Sequence, residues 1–115
     1  MPGPATLADQ ASKAVRALNH ATPDDLDSPA DVDAVVAGLK AMAQQLPPLF
    51  SQLSGWLERE LQAERVAHDS GTQVDAWEAV DGVIDALNRA SADAAILAEA
   101  LGTAHYSAFL LKAAA

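Results

Sequence analysis

Residues with the chemistry for catalysis or metal binding are few in this chain. Its three histidines, His20, His68 and His105, fall in three different segments. There is no cysteine, which excludes a disulfide scaffold, a cysteine-ligated zinc and thiol catalysis. The serines stand mostly at helix starts and turns, and no G-x-S-x-G, P-loop or H-E-x-x-H occurs. The nearest approach to a ligand set is Glu60, Glu64 and His68, spaced i, i+4, i+8 along a helix that the pattern carries to His68. Ferritin-like metal sites instead use Glu-x-x-His and need further carboxylates from other helices. The row therefore reads as a solvated acidic edge, with a carboxylate/histidine metal enzyme as the third functional reading, and no cofactor is expected.

A second carboxylate row, Glu78, Asp81 and Asp85, lies opposite part of an apolar helical face. It reads either as a solvent face or as an acidic docking strip for a basic protein partner. With Asp24, Asp25, Asp27, Asp31 and Asp33 it also raises the reading of a nucleic-acid mimic, carboxylates standing where phosphates would stand in a basic groove.

The overall charge sets limits on partners. Sixteen acids against seven bases give a net charge of −9. Direct binding to nucleic acid or to an anionic membrane is not expected, because the basic residues are few and scattered. The longest apolar run, Ala94 to Leu101, is broken by Glu99 and is well short of the roughly 20 residues that span a bilayer. The first ten residues lack a basic stretch followed by an apolar one, so no signal peptide is read and a cytoplasmic location is expected.

The elements that must position these residues are helical. Twenty-seven of the 115 residues are alanine and only 4% are aromatic, a composition that favours helix over strand. A first helix is predicted from Thr6, paired with Asp9 as in a capping box, to about Asn19, with residues 21–28 as a turn-rich acidic connection. A second starts at Ser28-Pro29-Ala30-Asp31, where serine caps, proline takes the first helical position and Asp31 reaches back. Pro47-Pro48 is expected to interrupt it, because a proline inside a helix costs about 3 kcal/mol. Pro48 then opens a third helix, which fades between Val66 and His68. Ser70-Gly71 reads as a stop and Thr72 with Asp75 as a new cap, starting one long helix over about 73–101. Gly102 precedes a short C-terminal helical segment whose Tyr106, Phe109, Leu110 and Leu111 either fold back on the bundle or form an interface.

One family is considered and rejected for the chain, and one resemblance holds. The secreted helical hairpins named for a Trp-x-Gly turn share its size and acidity. Here, however, Gly55 precedes Trp56 within a helix, and Leu110 stands where that family's export pattern has an acid after Tyr106. Arg16-Ala-Leu-Asn-His-Ala-Thr22, Leu46-Pro-Pro with Trp56-Leu-Glu-Arg59, and Leu97-Ala-Glu-Ala-Leu-Gly-Thr-Ala-His105 together resemble small helical hypothetical proteins of high-GC actinobacteria. That resemblance covers most of the chain and implies a helical fold and a bacterial origin, with no activity to carry over.

The sequence thus predicts one all-α domain over 1–115, with residues 1–5 flexible. It is an antiparallel three- to four-helix bundle with Val32, Val36, Leu39, Leu46, Phe50, Leu53, Trp56, Leu57, Trp77, Ile84 and Leu87 in the core. The expected function is a non-enzymatic protein–protein interaction or assembly protein, self-associating as a homo-oligomer. The alternative is an acidic inhibitor of a basic protein.

Overall fold

The computed structural model describes residues 1–112 and 114, and all of its secondary structure is helical. Three helices follow one another: α1 (Pro4–Asp25), α2 (Pro29–Gln62) and α3 (Gln73–Phe109). Two of the expected starts are in place. Asp31 accepts from the backbone N–H groups of Asp27 and Ser28 at 2.7 and 3.3 Å, and the Thr72 hydroxyl accepts from the Asp75 N–H at 3.2 Å. Each satisfies donors that a helix start leaves without partners. At α1 the start is different from that expected: Gly3 is the cap and Pro4 the first residue, so Thr6 lies inside the helix. Asp9 pairs instead with Lys13, one turn on, at 2.9 Å.

Proline does not break these helices. α1 runs through Pro23 to Asp25, which shortens the connection from residues 21–28 to Leu26–Ser28. α2 runs through Pro47 and Pro48, so the two helices expected on either side of them are one helix of 34 residues. Each proline leaves a carbonyl four residues back, Ala43 and Gln44, without its helical donor. The stretch still holds because an unbroken α2 keeps one row of buried and half-buried residues facing α3 on both sides of the prolines. Gly102 is likewise passed without a break: α3 is continuous to Phe109, and there is no separate C-terminal helical segment.

α2 and α3 are the one pair of helices that pack together among the described residues. Position numbers fall along α3 as they rise along α2. Asp33 meets His105, Lys40 lies against Gly102, Phe50 borders Ala94 and Leu61 clusters with Ala76 and Val80. The fully buried residues are Ala43, Leu61, Ala76, Val80, Ala94 and Ala108, so the seam is closed mainly by small side chains that let the two backbones approach. This corrects the expected core. Val36, Leu39, Leu46, Phe50, Leu57, Ile84 and Leu87 are half-buried, while Val32, Leu53, Trp56 and Trp77 are exposed, the two tryptophans at 54% and 55%.

α1 buries none of its residues. Leu18, Ala21 and Thr22 face Ala34 and Val35 across a shallow cleft. At its other end Pro4 borders a cleft of about 560 Å³ with Leu49, Leu53, Trp56 and Arg59. The molecule is accordingly long and thin, with extents of 68 × 26 × 23 Å and a radius of gyration of 19.3 Å. A globular chain of this length would have a radius of about 13 Å.

Candidate interaction surface

The seam with α3 uses one row of α2: Asp33, Val36, Lys40, Ala43, Pro47, Phe50, Ser54, Leu57 and Leu61, all buried or half-buried. Its steps alternate between three and four residues, a heptad spacing. A second row has the same spacing one residue earlier, at positions 32, 35, 39, 42, 46, 49, 53 and 56, and every one of its members is apolar. One residue of offset turns a face by about 100° around the helix. α2 is therefore a two-faced helix, with one face on α3 and a second beneath α1, of which Val35, Leu39 and Leu46 are half-buried and the other five residues exposed, Leu46 also bordering α3 at Ala94 and Leu97. On the open face Val32 is 40% exposed, Leu49 and Leu53 45% and Trp56 54%.

This open face carries no charge. Between Asp33 and Glu58 the only ionisable residue of α2 is Lys40, and its side chain lies across the other row, against Gly102 of α3. In a chain of net charge −9, 24 consecutive residues with one cation are a local departure in composition.

The acidic rows are elsewhere. Glu78, Asp81 and Asp85 are all exposed on α3, and Glu78 and Asp81 border a shallow apolar cleft with Val74 and Trp77. The Glu60–Glu64–His68 row is taken apart by the end of α2 at Gln62, because Glu64 and His68 then lie in the connection rather than on a helical face. Glu60 instead accepts two bonds from the Arg65 guanidinium, at 2.6 and 3.1 Å. Those bonds hold its carboxyl below the usual carboxylate range. The His68 ring accepts the Ser70 N–H at 3.0 Å. Among the described residues no three His, Asp or Glu side chains gather as a metal site. Asp75 is also lowered, by the hydroxyls of Ser70 and Thr72 that bond it at the start of α3.

Tyr106 and Phe109 form the last turns of α3, followed by Leu110 and Leu111, and all four are 60–71% exposed. They do not fold back over the hairpin. Ala108, between them in sequence, takes the buried position of that turn. One polar contact that the sequence did not suggest lies nearby: His105 Nδ1 is 2.6 Å from Asp33 Oδ1, across the α2–α3 seam. Only the pairing of the two helices brings together groups so far apart in sequence.

No described helix is long and apolar enough to cross a membrane. No family model, no curated protein and no solved structure matches the chain.

Proposed function

We propose that this chain is an assembly protein that acts by self-association, an antiparallel α2–α3 hairpin whose bundle is completed by another copy. The observation that supports this reading is the amount of surface left in water. The chain exposes 8429 Å², whereas a folded monomer of 11.9 kDa exposes about 5,900 Å². The excess, about 2,500 Å² per chain or about 5,000 Å² for a pair, falls in the upper part of the range that permanent homodimers remove from water. Exposed apolar residues on α2 and at Tyr106, Phe109, Leu110 and Leu111 form part of it, beside α1, which buries none of its residues.

The test is absolute mass by light scattering across a concentration series, at low and high salt. The expected result is a mass of twice the chain or more at micromolar concentration, little changed by salt, since apolar burial is not screened. A monomer at all concentrations would refute self-association. The alternative, an acidic inhibitor docking a basic protein through Glu78, Asp81 and Asp85, draws on their exposure. It would instead give a monomer whose capture by a basic protein fades steeply with salt.

A further inference from the structure

We infer that the open face of α2 is the seam of a twofold dimer, in which it packs in reverse direction on the same face of a second copy. This rests on the self-association reading and names its surface and register. The row is self-complementary when reversed. About a centre near Gln44, Val32 meets the partner's Trp56, Leu39 the partner's Leu49 and Met42 the partner's Leu46. Each layer sets one member of the first half of the row against one of the second, which is the pairing of an antiparallel coiled coil. The smallest side chain of the set falls opposite the largest. A twofold axis requires such self-complementarity, because each residue must contact its mate in both directions.

Charge agrees with the register. Asp31 and Arg59 flank the two ends of the row, and in this pairing each faces the other's copy, giving two ion pairs by symmetry. Arg59 makes no ion pair within the chain among the described residues. The carboxylate-free stretch between Asp33 and Glu58 lets two chains of charge −9 approach where neither presents an acid. It offers a basic foreign partner nothing to hold. α1 lies over this face with no residue fully buried and only Leu18, Ala21 and Thr22 half-buried, so the second copy replaces a shallow contact with Ala34 and Val35 as α1 swings about Leu26–Ser28.

The chain lacks cysteine, so single nitroxide labels can be placed on the full-length protein at Gln45→Cys and, separately, at Glu58→Cys, both exposed positions. Pulsed dipolar spectroscopy then reads the distance between copies. The dimer axis passes near Gln44, so labels at 45 should lie within about 25 Å of each other. Labels at 58 stand 14 residues from the centre on each side and should be more than about 40 Å apart. Leu49→Asp should weaken the dimer at least about 30-fold, as removal of a central contact does, with helical content by circular dichroism retained. Phe109→Asp should leave it intact.

A dimer with short distances at both positions would make the pairing parallel and overturn the register. A dimer with long distances at both, or one split by Phe109→Asp but not by Leu49→Asp, would place the interface on another face. Both results leave self-association standing. A monomer with no dipolar signal would overturn the seam and self-association together, and would make α1 the occupant of its own α2 face.

Discussion

Glu64 is the one non-glycine residue of positive φ among the described residues, at 60°, and it sits where a helix usually places glycine. Its N–H donates to the Leu61 carbonyl at 3.0 Å and the following Arg65 N–H to the Glu60 carbonyl at 2.9 Å, the paired bonds that close a helix through a left-handed residue. A side chain in that conformation costs roughly 1–2 kcal/mol. Glu64→Gly should therefore stabilise the protein by about 1 kcal/mol in chemical denaturation, and no gain would mean that the turn is not strained. Two of the three local starts were legible in the sequence for the same kind of reason, the exception being α1, which begins at Pro4 and not at Thr6. Ser28-Pro29-Ala30-Asp31 and Thr72 with Asp75 are short-range patterns whose bonds close within three or four residues. Glu64 was not legible, because nothing in its type announces a left-handed backbone.

Pro47 and Pro48 show where local rules give way at the scale of the element. Their type argues for two helices, yet the buried spacing keeps its phase across them: Ala43, Pro47, Phe50 and Ser54 step along one face. Packing against α3 rewards continuity of that face over the lost backbone bonds. Pro48 is exposed, so Pro48→Ala restores a donor without changing the seam. It should raise stability by about 1–3 kcal/mol, and a loss of stability would show that the proline is needed where it stands. Trp56 and Trp77 were misplaced for a related reason. Their apolar spacing was legible, but each adjoins a residue of another apolar row, Leu57 beside Trp56 on α2 and Ala76 beside Trp77 on α3, and spacing alone does not say which row the neighbouring helix takes. Alanine decided it. Ala43, Ala76, Ala94 and Ala108 permit the closer approach of backbones, leaving the large side chains outside.

At the scale of the whole molecule the helical class was legible from composition, and the thin, open shape was not. Composition counts apolar residues without saying how many find a partner in the same chain. A hairpin of two helices buries little, and α1 adds no buried residue. Stability of such a chain should depend on its concentration, because each copy completed by another gains the free energy of binding. The thermal midpoint is expected to climb over a hundredfold range of concentration. A midpoint that stays constant across that range would mean that the single hairpin carries all of the stability. The candidate surface was legible only in part: the acidic rows and the C-terminal aromatics could be read from residue type, whereas the open row of α2 needed the position of α3 to become visible.

The seam between α2 and α3 closes from one end, and this bears on how quickly the chain finds its fold. Leu61, Ala76 and Val80 flank the ten-residue connection between Gln62 and Gln73, so their meeting requires only a small loop to close. Each later layer, out to Asp33 with His105, extends a pairing already in register and adds no new loop. The expected route is that of a zipper, with substitutions beside the connection slowing folding and those near Asp33 and His105 mainly speeding unfolding.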